Sequence, residues 1–140
     1  SVAVILNGEI YNYRELRSEL VSRGHHFATA SDTEVLAHGW EEWGTALASK
    51  LNGMFAFAVW DRGKRKMYLA RDRLGVKPLY VHSGPEGHAF ASELVALLAL
   101  ESVPRDIDRE ALELYLHYQY VPAPLSIYRS VRKLEPAQWS

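Results

Sequence analysis

The chain has no cysteine among its 140 residues. This absence excludes disulfide bonds, thiolate metal sites and a cysteine nucleophile within these residues. Neither sign of charge is in excess, since 16 basic and 17 acidic side chains give a formal net charge of −1, so nucleic acid is not expected as a partner. No apolar run reaches the ~20 residues of a membrane-spanning helix, and no leader-like segment opens the chain, so no membrane is expected either.

Recognisable metal and phosphate motifs are also lacking. The six histidines are scattered, without an HExxH motif or a paired histidine and carboxylate spacing, so the sequence predicts no metal site. The glycine-rich turn 83–87 lacks the lysine and hydroxyl residue of a phosphate-binding loop. The basic run 62–66 has no aromatic platform beside it and is interpreted as a solvated turn. No cofactor is expected in this chain.

What the chain does contain is the composition of one domain with a core, at 48% hydrophobic and 24% charged residues. Apolar runs and turn residues predict strands at 2–6, 26–29, 54–60, 67–71, 78–82 and 88–91. The same signals predict helices from Asn12 to about Gly24, from Ser31 onward, within 44–51, at 93–100 and from Asp108 to about Tyr118.

Short polar residues mark the predicted starts of these helices. The predicted caps are two capping boxes, Asn12 with Glu15 and Ser31 with Glu34, and the single caps Ser92 and Asp108. Asn7 and Gly8 are expected to break the first strand. The tail from Val121 contains Pro122, Pro124 and Pro136 and is interpreted as the start of a linker.

The hairpin predicted at 54–60 and 67–71 has an unusual first strand. Phe55, Phe57 and Val59 alternate with Ala56 and Ala58, so both faces of the strand are apolar. A strand of this kind is typical of a sheet that is covered on both sides. The order of strands and helices therefore predicts an α+β fold with helices on more than one side.

A few polar residues are candidates for chemistry. The Asn7 amide beside the Gly8 backbone N–H could form an oxyanion hole, which needs two donors aimed at one oxygen, although Asn-Gly is also a common turn dipeptide. Glu9 is either a solvated carboxylate or an anchor for a substrate ammonium. Asp32 lies at a helix start that Ser31 already caps, so its carboxylate is free for another role.

The charged pair Arg71 and Asp72 follows a strand. The local interpretation is structural, with an Arg–Asp pair that fixes a tight loop.

Five segments follow one another in the order LNGEIYNYRELR, SDTEVLAHGWEEWG, LNGMFAFAVWD, LARDRLGVKPLYV and FASELVALL. Together they resemble the class-II glutamine amidotransferase domain of glutamine-hydrolysing asparagine synthetases, over residues 2–135. The tail YVPAPLSIYRSVRKLEP is similar to the same type and less like glucosamine-6-phosphate synthase or amidophosphoribosyltransferase. The resemblance implies an N-terminal-nucleophile hydrolase fold, a four-layer αββα sandwich with antiparallel sheets.

The resemblance also implies roles for individual residues. Asn7, through its side-chain amide, and Gly8, through its backbone N–H, match the oxyanion hole of the family. Glu9 and Asp32 match the carboxylates that hold the α-amino group of glutamine. Arg71 and Asp72 match a family signature that we interpret as structural.

One part of the family pattern is missing. The family nucleophile is an N-terminal cysteine whose own α-amine is the base, and it lies on a strand upstream of the NGEIYN motif. The expectation is therefore that the N-terminal strands are missing, that residues 1–120 are a truncated amidotransferase domain, and that residues 121–140 end it and begin a linker to an absent synthetase domain. No SGGxDS-like loop occurs here, so ATP and Mg²⁺ are expected only in that absent domain.

The expected function is the glutamine-binding and oxyanion-hole part of a glutamine-hydrolysing asparagine synthetase, with this chain alone inactive. The expected partners are L-glutamine and the protein's own synthetase domain, with a homodimer as a further expectation and the cytoplasm as the location. Two alternatives stay open at this point. The chain could be a non-catalytic or structural fragment, or it could come from a related amidotransferase that acts on another acceptor.

Overall fold

A computed structural model describes residues 1–137. Its strands are β1 (Val2–Ile10), β2 (Gly53–Asp61), β3 (Lys66–Arg71), β4 (Tyr80–Gly84), β5 (Gly87–Ala91) and β6 (Val131–Lys133). Its α-helices are α1 (Tyr13–Ser22), α2 (Asp32–Trp43), α3 (Leu47–Lys50), α4 (Leu94–Leu97) and α5 (Arg109–Tyr118), with a 3₁₀ turn at Gly44–Ala46.

The strands form two antiparallel sheets of three strands each. The first sheet has the order β1-β2-β3, and the second has the order β5-β4-β6. In the first sheet Val2 lies opposite Asp61 and Ile10 lies opposite Gly53, so β1 and β2 pair along their whole length. Within residues 1–137, β1 therefore has a strand neighbour on one side only.

Apolar clusters show that the two sheets are stacked, with helices outside. The first cluster joins one face of β2 to helices α1 and α2, through Phe55, Phe57, Val59, Leu16, Leu20, Val35, Leu36 and Trp40. The second joins the other face of β2 to the second sheet, through Ala56, Ala58, Leu69, Leu79 and Leu134. The third lies on the outer side of the second sheet, where Leu97 of α4 packs with Val131. The predicted two-sided burial of β2 and the α+β antiparallel architecture are confirmed.

The first strand is longer than predicted, because Asn7 and Gly8 do not break it. Asn7 lies opposite Ala56, and Gly8 lies opposite Phe55. Gly8 adopts a φ of 140°, and a Cβ at this position would overlap the carbonyl oxygen of Met54. Glycine therefore lets the strand continue here, where any other residue would be strained.

The strand predicted at 26–29 is absent, and a side chain explains why. The Glu34 carboxylate accepts hydrogen bonds from the backbone N–H groups of Ala28 (2.6 Å) and Thr29 (2.7 Å) and from the Thr29 hydroxyl (2.6 Å). These bonds replace the ladder that a strand would need, and they hold the pKa of Glu34 down at about 2. Ser31 caps α2 as predicted, since its hydroxyl accepts from Thr33 N at 3.1 Å, but Glu34 does not complete a capping box.

The other predicted caps have mixed outcomes. Asp108 caps α5, accepting from Glu110 N at 3.0 Å and Ala111 N at 3.2 Å, as predicted. The prediction for Ser92 is wrong, because α4 begins two residues later without a side-chain cap. Asn12 precedes α1, but its side chain instead bonds Lys50 O at 3.0 Å and Asn52 N at 2.9 Å.

The tail from Val121 folds back onto the second sheet. Its strand β6 pairs with β4, Leu134 N donates to Leu79 O at 2.8 Å, and Lys133 N donates to Pro124 O at 2.8 Å. Up to residue 137 this segment is therefore packed structure, although its prolines are typical of a linker. Residues 138–140 lie outside the described residues, and the domain boundary at 120 stays a prediction.

Candidate active site

Asn7 lies on the face of β1 that is turned toward the second sheet. Its side chain lines a cavity of about 190 Å³ between the sheets, together with Ile5 of the same strand, Ala56 of β2 and Phe90 of β5. The cavity is open on the β1 side, where Ile5 is 61% exposed. The site is therefore a cleft between the edges of two sheets, which is a common position for a ligand pocket.

The Asn7 amide is available for a ligand. It is half-buried, and within residues 1–137 its side chain makes no hydrogen bond. Polar groups at such depth are usually paired. An amide that projects into a cavity without an internal partner has the donor that an oxyanion hole requires.

Gly8 adds backbone freedom next to this amide. Its φ of 140° and its contact with the β2 backbone require glycine. Any side chain here would push β1 away from β2 and displace Asn7. The Asn-Gly dipeptide is therefore fixed by strand pairing, and the alternative interpretation as a hairpin turn is wrong.

The structure brings Asp32 to the end of the same strand. The Asp32 Oδ2 atom accepts a hydrogen bond from Ile10 N at 3.1 Å, which places this carboxylate beside the peptide that follows Glu9. Ser31 caps the helix through its own hydroxyl. Glu9 is exposed, and its carboxylate has no hydrogen bond or ion pair within the described part of the chain.

The four predicted residues thus lie along one stretch of the molecule. Asn7, Gly8 and Glu9 are consecutive in β1, and Asp32 docks on the next peptide. Of these four, only Asn7 lines the cavity between the sheets. The geometry agrees with an elongated ligand that is bound at two points, but the two-point contact itself stays a prediction.

Ser92 is a cavity residue that local sequence reasoning assigned to a different role. The sequence predicts it as a helix cap, but it lines the same cavity as Asn7, next to Ala91 at the end of β5. No local pattern distinguishes the two roles. The segment FASELVALL, which contains Ser92 and contributes to the family resemblance, was the signal that could have found it.

Arg71 and Asp72 organise the loop after β3 and do not pair with each other as predicted. The Arg71 guanidinium donates to the carbonyl oxygens of Gly75 (2.7 Å), Lys77 (2.7 Å) and Leu134 (2.6 Å). Arg71 thus ties the loop to the C-terminal segment. The structural interpretation of this residue holds, with backbone carbonyls as its partners.

Asp72 is buried and accepts from the backbone. Its carboxylate receives N–H groups at 3.0–3.2 Å from a set of four residues, namely Phe55, Leu74, Val76 and Lys77. Burial opposes the ionised form, but these hydrogen bonds outweigh it and hold the pKa of Asp72 below its ordinary value. Asp72 therefore fixes both the loop and the start of β2 opposite Gly8.

The chain is similar to a known protein family and to full-length proteins of two bacteria. A family model described as a glutamine amidotransferase domain matches residues 1–140. A putative glutamine-hydrolysing asparagine synthetase of Mycobacterium tuberculosis is 46% identical over 136 residues, which cover 94% of this chain and 21% of that protein. Asparagine synthetase 1 of Bacillus subtilis is 45% identical over 133 residues, which cover 95% of this chain and 21% of that protein. The chain thus spans about a fifth of the length of these relatives.

Solved structures give the same fold. Glutamine phosphoribosylpyrophosphate amidotransferase from B. subtilis matches with a TM-score of 0.59 and 31% identity, covering 69% of this chain and 22% of that chain. A solved structure of the allosteric regulatory enzyme of purine biosynthesis matches with a TM-score of 0.57 and 30% identity, again covering 69% of this chain and 22% of that chain. The predicted N-terminal-nucleophile hydrolase fold is confirmed by these matches and by the stacked antiparallel sheets.

Within residues 1–137 the structure has no helix of the length and apolar character needed to cross a membrane. The family model spans all 140 residues, and the relatives are similar over more than nine-tenths of the chain. The chain belongs to the glutamine amidotransferase domain family.

Proposed function

We propose that this chain is the glutamine-binding and oxyanion-hole part of a glutamine-hydrolysing asparagine synthetase. The observation that carries the proposal is the Asn7 amide, which projects into the cleft between the sheets without a hydrogen bond inside residues 1–137. The similarity to asparagine synthetases over 94–95% of the chain supports the acceptor as aspartate.

The chemistry assigned to the site is hydrolysis of the glutamine side-chain amide. A thiolate attacks the carboxamide carbon, and its carbonyl oxygen becomes an oxyanion that accepts hydrogen bonds from the Asn7 amide and from Gly8 N–H. The intermediate then collapses: the C–N bond breaks and ammonia leaves, taking the proton that the nucleophile's α-amine received from the thiol. Water hydrolyses the resulting thioester and releases glutamate.

Asp32 and Glu9 are proposed to bind the α-ammonium group of glutamine. A carboxylate next to a substrate ammonium gives a charge-assisted hydrogen bond, which fixes the substrate as well as binding it. Asp32 is suited to this role because Ile10 N already holds one of its oxygens at 3.1 Å. The substrate would then lie with its α-amino end near Asp32 and its side-chain amide near Asn7.

The nucleophile is proposed to be a cysteine outside this chain, because the 140 residues contain none. These residues alone should therefore neither hydrolyse glutamine nor react covalently with an electrophilic glutamine analogue. Ammonia is proposed to pass to aspartate that a linked synthetase domain activates with ATP and Mg²⁺. No residue of this chain is assigned to ATP or Mg²⁺.

The outer surface of α5 supports a contact with that linked domain. Several large apolar side chains of α5 and the following segment are exposed, namely Leu112, Tyr115, Leu116, Tyr118 and Tyr120. An apolar patch of this kind usually marks a protein interface.

We also propose a cytoplasmic location. A homodimer of the isolated chain is proposed because the outer edge of β1 has no strand neighbour within residues 1–137.

The test is Asn7→Ala in the full-length protein. Loss of one oxyanion donor typically lowers the rate about 100- to 1000-fold, so glutamine-dependent synthesis should fall by that amount while ammonia-dependent synthesis is retained. The matched control is Asn52→Ala. Like Asn7, Asn52 is followed by a glycine and its side chain makes no hydrogen bond within the described residues, but it is exposed and does not line the cleft.

Two results would count against the proposal. Full glutamine-dependent activity in Asn7→Ala would remove Asn7 from the oxyanion hole. An equal loss of glutamine- and ammonia-dependent synthesis would place the defect outside glutamine hydrolysis.

A further inference from the structure

A cluster of histidines and glutamates lies on the helical layer, away from the cleft. His25 lies in the segment between α1 and α2, and His38 and Glu41 lie three residues apart on α2. One ligand atom from each of these three residues lies within 4.8 Å of the others. The scattered histidines predicted no metal site, but the fold brings together two that are 13 residues apart.

The two imidazole rings approach each other through matching atoms. His25 Nδ1 lies 3.2 Å from His38 Nδ1, and the rings are at 73° to each other. Two nitrogens that bind one tetrahedral zinc ion at ~2.0–2.1 Å lie about 3.3 Å apart. The observed separation of 3.2 Å is therefore close to that of two ligands of one ion, and it is also a hydrogen-bonding distance.

The outer ring nitrogens face carboxylates. His25 Nε2 lies 3.3 Å from Glu42 Oε2, and His38 Nε2 lies 3.6 Å from Glu34 Oε1. A carboxylate can only accept a hydrogen bond, so the contact with Glu42 favours a proton on His25 Nε2 and a lone pair on His25 Nδ1. The His25 Nδ1 lone pair then faces His38 Nδ1, and the space between the two nitrogens can hold either a proton or a cation.

This arrangement has the further shell that histidine metal sites use. Metal-binding histidines nearly always direct their other nitrogen at a carboxylate or a carbonyl, which fixes the ring and raises its basicity. The Phe27 ring packs on His38 with a centroid distance of 4.4 Å and holds it in place. Glu41 Oε2 lies 3.8 Å from His38 Nδ1, and its side chain is 48% exposed, so an ion held by these three residues would have a fourth position that faces solvent.

We propose that His25 Nδ1, His38 Nδ1 and Glu41 form a binding site for one zinc-class divalent cation. Imidazole nitrogen and carboxylate oxygen suit Zn²⁺ and neighbouring transition metals, whereas Mg²⁺ and Ca²⁺ prefer oxygen ligands alone. The bound ion would tie the segment after α1 to the middle of α2. The proposal stands independently of the glutamine chemistry.

The experiment titrates tag-free full-length protein with Zn²⁺ alone and measures bound metal by equilibrium dialysis. Wild type should bind one more zinc ion per chain than His38→Ala and His25→Ala. Glu42→Gln, which alters the outer carboxylate, should weaken that ion by about 10- to 100-fold. The matched control is His88→Ala, because His88 is an exposed histidine in β5 of the other sheet, and it should bind zinc like wild type.

A second measurement applies if the histidine variants fold poorly. Glu41→Gln changes an exposed side chain and should leave folding intact. Zinc should then raise the Tm of wild type and of His88→Ala but not that of Glu41→Gln. Equal zinc uptake and equal Tm shifts in wild type, His38→Ala and Glu41→Gln would overturn the proposal. The paired histidines would then share a proton instead of a metal.

Discussion

Two polar segments of the first sheet differ in how their side chains are used. After β3, Arg71 donates to three backbone carbonyls, and Asp72 accepts from four backbone N–H groups. In β1, the Asn7 amide makes no hydrogen bond within residues 1–137. Asp32 lies between these extremes, since its Oδ2 accepts from Ile10 N at 3.1 Å and its Oδ1 accepts a long hydrogen bond from the Thr33 hydroxyl at 3.5 Å.

This difference separates stabilising residues from residues that are open to a ligand. A buried polar group that is paired inside the fold contributes to stability, and its loss leaves several partners without a bond. A polar group that projects into a cleft without an internal partner contributes little to folding. The comparison therefore predicts that stability losses decrease from Asp72 through Asp32 to Asn7, whereas losses of glutamine use follow the opposite order.

The largest loss of stability is expected for Asp72→Ala. It leaves four buried or half-buried backbone N–H groups without their acceptor, which should lower the free energy of unfolding by at least about 3 kcal/mol. Urea denaturation measures the change. The control is Asp106→Ala, because the exposed side chain of Asp106 makes no hydrogen bond or ion pair in the described range. A loss below about 1 kcal/mol would show that water replaces the carboxylate.

Acid should act on the same carboxylate. The pKa of Asp72 is lowered in the folded protein, so its contribution is present above the ordinary aspartate pKa and is lost as the pH falls through the folded value. Between roughly pH 5 and pH 3, wild type should therefore lose more unfolding free energy than Asp72→Asn.

Asp61 serves as the internal reference for this experiment. Its carboxylate accepts from Trp40 Nε1 at 2.9 Å, which lowers the pKa of Asp61 to about 2 in both proteins. The acid sensitivity that Asp61 causes therefore cancels in the difference. Identical pH slopes for wild type and Asp72→Asn would contradict the assigned role of Asp72.

Asp32 should show an intermediate effect that divides into two parts. Asp32→Ala removes the acceptor of Ile10 N and should cost about 1 kcal/mol of stability, and it should also raise the KM for glutamine. Asp32→Asn keeps an oxygen for Ile10 N but removes the charge, so it should restore most of the stability and leave the KM high. Urea denaturation and glutamine kinetics on the full-length protein measure the two parts. A normal KM in Asp32→Asn would exclude this carboxylate from ammonium binding.

Local patterns predicted most of the fold, and the exceptions have physical causes. The alternation of Phe55, Phe57 and Val59 with alanines predicted the sheet that is covered on both sides. Successive side chains of a strand face opposite sides of the sheet, so apolar residues at every position indicate that both sides are buried. The extension of β1 through Asn7 and Gly8 was not predictable in this way. It depends on pairing with β2, which lies more than 40 residues later and is not visible in a local window.

The candidate site follows the same division. The order of the motifs predicted Asn7, Gly8 and Asp32, and the structure places Asp32 next to the strand that carries the other two. The pair of His25 and His38 had no sequence signal, because Glu34 turns the segment between them away from a strand and toward α2. A contact that depends on one side chain, such as that of Glu34 with the loop before α2, leaves no helical or strand periodicity in the sequence from which it could be predicted.

The smallest effect on stability is expected for Asn7→Ala, and it sharpens the comparison most. No hydrogen bond is lost within residues 1–137, so the free energy of unfolding should change by less than about 0.5 kcal/mol. The same variant should lose most of its glutamine-dependent activity. A stability loss above about 1 kcal/mol would mean that the amide supports the fold after all. Because the activity loss without a stability loss is specific to a ligand-facing group, this pair of measurements separates the cleft from the loop at Arg71 and Asp72.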